Sequence, residues 1–266
     1  MGRIISFINQ KGGVGKTTTC VNLATYLCAY GKKVLLVDLD PQGNATTGVG
    51  IDKAQDYNTF YDIILDECSV NEAILPTNIK NLKILPSNVD LAGSEVALVQ
   101  RENREKVLKN TLAQVKNDYD FIAIDCPPSL GLLTVNALTA TDAIIIPIQC
   151  EFYALEGLTQ LMNTVKLVKQ YLNPDIEIEG VVLTMKDNRS NLVNQVADEI
   201  KQFFGRKVYK TVIPRNIRLA EAPSHGVPIM LYDNRSTGAV AYQDLAIEFL
   251  KRNKDVSKTK TKKENE

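Results

Sequence analysis

Short apolar runs alternate along the chain with longer segments of helical periodicity, and this alternation constrains the fold more than any other feature. Several runs are apolar at every position, which is typical of strands buried on both faces of a parallel sheet. The predicted strands are Ile4–Ile8, Lys33–Asp38, Leu82–Leu85, Phe121–Asp125, Ala143–Ile148, Ile178–Leu183 and Val208–Val212. The alternation predicts an α/β fold with a doubly wound, mostly parallel sheet and right-handed crossovers.

Length and composition bound the number of domains. Of the 266 residues, 44% are hydrophobic and 23% are charged, and these ordinary values exclude a chain that is largely disordered. The longest apolar run, residues 143–148, is far shorter than the roughly 18 residues that a membrane span needs. We expect one domain over residues 1–252, followed by a disordered, Lys-rich tail over residues 253–266.

The formal net charge of zero hides an asymmetry. Residues 251–266 contain seven basic and three acidic residues, so the rest of the chain is mildly acidic. We interpret the tail as a solubilising end, with contact to nucleic acid or anionic lipid as the alternative. The five cysteines form no C-x-x-C pair, and nothing in the sequence resembles a secretory signal, so we expect a reducing cytoplasm.

A glycine-rich turn joins the first predicted strand to a helix predicted over Cys20–Tyr30. Its sequence from position 11 to position 19 is K-G-G-V-G-K-T-T-T. Strand, glycine-rich turn and helix form a phosphate-binding loop, because glycines let backbone N–H groups converge on phosphate oxygens at a helix N-terminus. Lys16 would then bridge the β- and γ-phosphates, and the Thr17 hydroxyl would ligate Mg²⁺. The candidate nucleotide-binding residues here are Lys11, Gly12, Gly13, Val14, Gly15, Lys16, Thr17 and Thr18.

The loop departs from the G-x-x-x-x-G-K-[ST] pattern at its start. Gln10 stands where the first glycine belongs, and Lys11 opens the turn. Two cations from one subunit on one triphosphate would be redundant. We therefore interpret Lys11 as a cation that reaches the phosphates of a facing subunit, as an arginine finger does, which would couple dimerisation to the nucleotide state.

Two predicted strands end in carboxylates. Asp38 and Asp40 lie at the end of the second strand, within D-L-D-P-Q-G-N, where ligands bind in open α/β sheets. The apolar strand Phe121–Asp125 ends in Asp125, which is the arrangement that holds Mg²⁺ beside a phosphate loop. An apolar strand that ends in aspartate is often structural, and it is the loop that makes Asp125 a candidate.

Taken together, these motifs resemble those of the ParA/Soj family of deviant Walker A ATPases. The match also includes I-D-C-P-P-S from Ile124 and V-I-P-R-N-I-R-L-A-E-A-P-S-H-G from Val212, so it spans nearly the whole chain. The resemblance implies a P-loop NTPase that uses ATP and Mg²⁺ and forms a homodimer around its nucleotides. It also implies non-specific binding to double-stranded DNA and release when a ParB/Spo0J-type centromere-binding protein stimulates hydrolysis. Such proteins partition chromosomes or plasmids on the nucleoid, and some influence replication initiation or sporulation.

The resemblance also assigns roles by position. It makes Lys11 the signature lysine that acts in trans, Lys16 the phosphate lysine and Asp40 the carboxylate needed for hydrolysis. The remaining implied positions are Thr17, Asp40 and Asp125 at Mg²⁺ (the carboxylates through water), Pro214 and Asn216 over the adenine, and Arg189 and Arg218 on DNA. Because the body is slightly acidic, affinity for DNA should depend on doubling this patch in a dimer and should fall steeply with salt.

Other functions remain open on the sequence alone. A MinD-like, membrane-associated cell-division ATPase would share the loop, but the tail after Asn253 has a single apolar residue, Val256, so stable membrane insertion is not expected. A metabolic P-loop enzyme of the dethiobiotin-synthetase type would need a small-substrate pocket that we cannot assign. His225, the only histidine, is interpreted as a residue that packs a loop.

Overall fold

The computed structural model describes residues 2–151, 154–186 and 191–263, which include one seven-stranded sheet. The strands are β1 (Arg3–Phe7), β2 (Val34–Asp38), β3 (Leu75–Pro76), β4 (Leu82–Leu85), β5 (Phe121–Asp125), β6 (Ala143–Gln149) and β7 (Glu177–Thr184). Their order across the sheet is β3-β4-β2-β5-β1-β6-β7, and every pair is parallel except β3 with β4. The predicted α/β class and the mostly parallel sheet are therefore confirmed.

Helices cover both faces of the sheet. The α-helices are α1 (Lys16–Ala29), α2 (Asn44–Gly48), α3 (Phe60–Ile64), α4 (Val70–Ala73), α5 (Ser94–Val99), α6 (Val107–Ala113), α7 (Leu132–Ala140), α8 (Ala154–Tyr171), α9 (Asn191–Phe204), α10 (Ile217–Glu221), α11 (Ile229–Tyr232) and α12 (Thr237–Lys263). Short 3₁₀ segments lie at Val89–Gly93, Arg104–Lys106, Lys116–Asp118, Gly205–Lys207 and Ala222–His225. Within the described residues, no helix combines the length and the hydropathy needed to cross a membrane.

The strands are apolar at every position because each face of the sheet has its own core. On β2, Leu35 and Val37 belong to the core that includes residues of α6, α7, α8 and α9. Their neighbours Val34 and Leu36 belong to the core on the opposite face, with residues of α1 and α12. Alternate side chains of a strand point to opposite faces, so both sets must be apolar.

The prediction of a strand over Val208–Val212 is wrong. This segment does run beside β7, and the Tyr209 N–H donates to the Val181 carbonyl at 2.8 Å. The Glu248 carboxylate, however, accepts hydrogen bonds from the backbone N–H groups of Lys210 and Thr211, so only an isolated bridge between Val181 and Val208 forms. A side chain on α12 thus takes the donors that a sheet ladder would need.

The register of the central strands brings their carboxyl ends together. Phe7 at the end of β1 and Asp38 at the end of β2 both lie opposite Asp125 at the end of β5. The glycine-rich turn leaves β1, which lies beside β5, and leads into α1. The helix α12 continues to Lys263, into the segment for which the sequence predicts disorder, and the division at residue 252 stays a prediction.

Candidate nucleotide site

The turn between β1 and α1 is an open loop that ends at the N-terminus of α1. Gly13 and Gly15 have φ values of 75° and 86°, a left-handed conformation that side-chain-bearing residues rarely adopt. A methyl group built on Gly12 or Gly13 would meet nothing within 4 Å, so the backbone faces free space. The loop is fixed from behind, where the buried Thr184 hydroxyl donates to the Val14 carbonyl at 2.8 Å. This geometry fits an anion held by backbone N–H groups.

Both lysines of the loop are held within the same subunit. The Lys16 side chain is 6% exposed, and its Nζ donates to the Lys11 carbonyl at 3.1 Å. Burial lowers the pKa of Lys16, and the charges of Asp125, Cys126 and Asp40 oppose that shift. The Lys11 ammonium forms an ion pair with Glu151, and the Lys11 N–H donates to the Asn9 side chain at 3.0 Å.

Asp38 organises the loop that follows β2. Its carboxylate accepts hydrogen bonds from the Asp40 N–H at 3.1 Å and from both the N–H and the hydroxyl of Thr46 at 2.8 Å. The side chain is fully buried, and this burial raises its pKa to about 6 against the effect of these hydrogen bonds. Asp38 therefore acts first as a structural residue.

Asp40 lies at the start of the same loop and is 9% exposed. Its Oδ1 accepts a hydrogen bond from the Gln42 N–H at 2.9 Å, and its carbonyl accepts one from the Ser87 hydroxyl at 2.7 Å. Its backbone is thus anchored, while its Oδ2 accepts no hydrogen bond from the residues that the structure describes. A carboxylate held in this way can accept a proton from, or orient, a water molecule beside a phosphate.

Asp125 has the feature that best fits a cation. It is fully buried, and neither of its carboxylate oxygens has a hydrogen-bond partner within the described part of the chain. Burial and the charge of Asp38 raise its pKa well above the usual range, although the Thr17 hydroxyl and the Lys16 ammonium act in the opposite direction. Buried carboxylates are normally satisfied. The unsatisfied oxygens near Thr17 and Lys16 are what a magnesium site beside the phosphate loop requires.

A cavity of about 450 Å³ opens beside the phosphate loop. It is lined by Gly15 and Thr18 of the loop region, by Pro214 and Asn216, and by the buried Tyr242. Its lining is mainly apolar, which suits a flat base. The structure therefore brings the residues predicted over the adenine to the phosphate loop.

The comparisons with known proteins place this site in a family. A family profile described as "AAA domain" matches residues 2–178. The chain is 60% identical over 248 residues to the sporulation initiation inhibitor protein Soj of Bacillus subtilis (strain 168), covering 93% of this chain and 98% of that protein. It is 50% identical over 252 residues to the chromosome partitioning protein ParA of Myxococcus xanthus (strain DK1622), covering 95% and 89% respectively.

The chain belongs to the ParA/Soj family of chromosome-partitioning ATPases. A solved structure with the same fold is that of cobyrinic acid a,c-diamide synthase from Mycobacterium smegmatis with bound ADP and magnesium. It superposes with a TM-score of 0.84 at 37% sequence identity and covers 96% of each chain. The P-loop NTPase architecture expected from the sequence is thereby confirmed.

The ParA/Soj resemblance assigns two arginines to DNA, and the structure describes one of them. Arg189 lies outside the described residues. The Arg218 side chain is 50% exposed on α10, and it pairs with Glu221 at 2.9 Å and with Asp233 at 3.6 Å. In the same region His225 stacks on Tyr232, with ring centroids 4.9 Å apart, which agrees with the interpretation of His225 as a packing residue.

Several residues of this site were not predicted. Thr184 and Tyr242 approach the loop from β7 and α12, and no local pattern marks them. Glu151 could have been found, since it follows β6 at the carboxyl edge of the sheet, as Asp40 follows β2. The Asn216 side chain accepts a hydrogen bond from the Leu219 N–H at 3.3 Å and donates one to the Thr237 hydroxyl at 2.8 Å, and its place over the adenine stays a prediction.

Proposed function

We propose that this protein is an ATP-dependent DNA-partitioning switch. ATP and Mg²⁺ bind at the loop between β1 and α1, and two subunits pair around their nucleotides. The pair binds double-stranded DNA without sequence preference, and a ParB/Spo0J-type partner stimulates hydrolysis and releases it. This cycle would place the protein on the nucleoid. The observation that carries the proposal is the buried Asp125 carboxylate, which has no hydrogen-bond partner among the described residues and lies beside Thr17 and Lys16, in a chain 60% identical to Soj.

The loop residues have distinct tasks in this proposal. Lys16, held by the Lys11 carbonyl, binds the phosphates. Thr17 would hold Mg²⁺, with the Asp40 and Asp125 carboxylates acting through water. Asp40 orients or activates the attacking water, while the cavity lined by Pro214 and Asn216 holds the base. When bound, Mg²⁺ supplies neutralisation of the phosphate charge.

Pairing of subunits supplies the rest of the site. Lys11 reaches the triphosphate bound to the facing subunit and stabilises the charge there, as an arginine finger does. DNA is bound by Arg189 and Arg218, which each pair of subunits presents twice. Contacts of this kind are to phosphates only, so they carry no base specificity.

The identities favour partitioning over a small-molecule synthetase. The chain is 60% identical to Soj and 50% identical to a ParA, against 37% for the diamide synthase. The two functions predict different rates of ATP hydrolysis by the isolated protein. A partitioning switch should hydrolyse ATP slowly when alone and faster with DNA and its partner, whereas vigorous turnover by the isolated protein would favour the synthetase.

The experiment that tests the proposal is measurement of molecular mass with ATP, with ADP and without nucleotide, each with and without random-sequence DNA over a series of salt concentrations. Asp40→Ala should give an ATP-bound dimer that holds DNA without turnover, since the site would still bind but not hydrolyse. Lys16→Ala should bind no nucleotide and stay monomeric. The proposal is wrong if Asp40→Ala saturated with ATP remains monomeric, or if the nucleotide-free protein binds DNA equally well.

A further inference from the structure

The start of the phosphate loop is joined to the end of β6 by two separate contacts. The Asn9 side chain donates to the Pro147 carbonyl at 2.8 Å and accepts a hydrogen bond from the Lys11 N–H at 3.0 Å. The Lys11 ammonium forms an ion pair with Glu151, which lies two residues after the end of β6. Asn9 is nearly buried, so the first contact fixes the backbone of Lys11. The second contact fixes the direction of its side chain.

The two contacts differ in how easily they break. The Lys11 and Glu151 side chains are 37% and 43% exposed, so water can replace either partner at little cost. The lysine side chain can therefore leave Glu151 while its backbone stays in place. A Lys11 ammonium that binds the triphosphate of a facing subunit cannot keep the same position on Glu151. If the Glu151 carboxylate moved together with the Lys11 ammonium, its negative charge would repel that triphosphate.

We propose that Glu151 is a positioning residue, which holds the Lys11 ammonium within its own subunit and competes with the nucleotide of the facing subunit for it. This inference rests on the proposed function, in which Lys11 acts across the dimer. The contact with Glu151 opposes pairing of empty subunits and is exchanged for a contact with triphosphate when two loaded subunits meet. Removal of the Glu151 charge then favours the dimer.

The test compares the protein concentration at half-dimerisation for the wild type and Glu151→Gln, in a non-hydrolysable ATP analogue with Mg²⁺. Formation of a symmetric dimer breaks two exposed Lys11–Glu151 ion pairs, one in each subunit. Each pair contributes a free energy of the size measured for surface ion pairs, so we expect Glu151→Gln to dimerise at a concentration about 2-fold to 30-fold lower. Glu151→Asp, which keeps the charge, should restore the wild-type concentration at least in part.

Glu156→Gln is the matched control, because Glu156 is exposed on α8 and its replacement changes the net charge equally. It should leave the half-dimerisation concentration unchanged. Acetylation of lysines in the nucleotide-free protein gives a second measurement. Lys11 should be acetylated faster in Glu151→Gln than in the wild type, and at the wild-type rate in Glu156→Gln.

The outcomes separate this inference from the proposed function. If the wild type dimerises with the analogue and Glu151→Gln dimerises no better, the competition is refuted and the partitioning proposal stands. Equal acetylation of Lys11 in both proteins would refute the pair itself. If the wild type stays monomeric, both the trans role of Lys11 and the competition are refuted. A purely structural role for Glu151 would weaken dimerisation on substitution, which is the opposite of the expected shift.

Discussion

Asp38 and Asp125 are neighbours across the sheet, but their surroundings differ. Asp38 accepts three hydrogen bonds from Asp40 and Thr46. Both oxygens of Asp125 lack a partner in the part of the chain that the structure describes. Two buried acids at neighbouring positions on adjacent strands destabilise the empty protein, because burial and mutual repulsion both oppose ionisation. A bound cation would remove that cost.

Asp125→Asn should stabilise the nucleotide-free protein while abolishing hydrolysis. An amide removes the buried charge, and we expect the free energy of unfolding to rise by about 1–3 kcal/mol at neutral pH. Urea denaturation in the presence of a chelator measures this change. Asp118→Asn, which removes an exposed carboxylate, should alter the free energy by less than about 0.5 kcal/mol. Loss of stability in Asp125→Asn would contradict the assignment of Asp125 as an uncompensated charge.

The raised pKa of Asp38 predicts a dependence of stability on pH. Because its pKa is about 6 in the folded protein and lower in the unfolded chain, the folded state binds the proton more tightly. Its contribution to stability is therefore present at low pH and is lost as the pH rises through about 6. The free energy of unfolding of the wild type minus that of Asp38→Asn should fall between pH 4.5 and pH 7 without nucleotide. A rising difference would show that hydrogen bonding outweighs burial.

At the scale of whole elements, the first and last helices of the chain meet beside the nucleotide cavity. The fully buried Thr19 on α1 shares a hydrogen bond of 3.1 Å with the hydroxyl of Tyr242 on α12. Tyr242 also lines the cavity that contains Pro214 and Asn216. The last helix is thus tied to the phosphate loop through a polar contact within an apolar core.

Tyr242→Phe should lower the free energy of unfolding by about 1–2 kcal/mol, because it leaves the Thr19 hydroxyl without this partner. Adding Thr19→Val should cost less than the sum of the two single changes, since both act on one hydrogen bond. Denaturation of the two single variants and the double variant forms the required cycle. Tyr171→Phe, at an exposed position on α8, should have little effect. Additive effects would mean that the contact contributes nothing.

The strands show how far a local pattern can predict an element. The central strands are predictable because burial on both faces selects apolar residues at every position. The segment Val208–Val212 has the same pattern, but Glu248, more than thirty residues later, binds its N–H groups. β3 was missed because two residues, one of them proline, are too short to show a period. Local sequence records burial, whereas backbone pairing also depends on distant side chains.

The candidate site also has one part that local sequence predicts and another that depends on distant residues. The loop from Lys11 to Thr18 is predictable because its glycines and its place between strand and helix are adjacent in sequence. Tyr242 reaches the loop only through the folding of α12, so spacing cannot reveal it. Glu151 could have been found from its place after β6 at the carboxyl edge of the sheet, but its contact with Lys11 depends on the fold. The role of Arg189 stays a prediction, because it lies outside the described residues.

At the scale of the whole molecule, the excess of positive charge lies in residues 251–266, and residues 1–250 carry more acidic than basic side chains. The formal net charge is zero, and Arg218 is paired with two carboxylates, from Glu221 and Asp233. Each pair is exposed and weak, so phosphate can replace the carboxylates. Affinity for DNA should therefore depend on how many such arginines one assembly presents together.

Arg218→Glu should weaken DNA binding by the ATP-bound dimer and leave dimerisation intact. Loss of one phosphate contact per subunit should make the slope of log affinity against log salt shallower by about 2 for a dimer. Binding to random-sequence DNA at several salt concentrations measures the slope. Lys83→Glu, an equal change of charge on β4, is the control and should leave it unchanged. An unchanged slope in Arg218→Glu would remove this arginine from the DNA surface.

The unsatisfied Asp125 carboxylate has a consequence for the lifetime of the protein. A ligand that binds only the native state increases the free energy of unfolding. A cation at Asp125 would increase it further, because it would also relieve the repulsion between the buried carboxylates. Subunits that have lost their ligands are consequently the ones that open most often and meet proteases. Degradation would then remove copies without a bound cation before those that hold one.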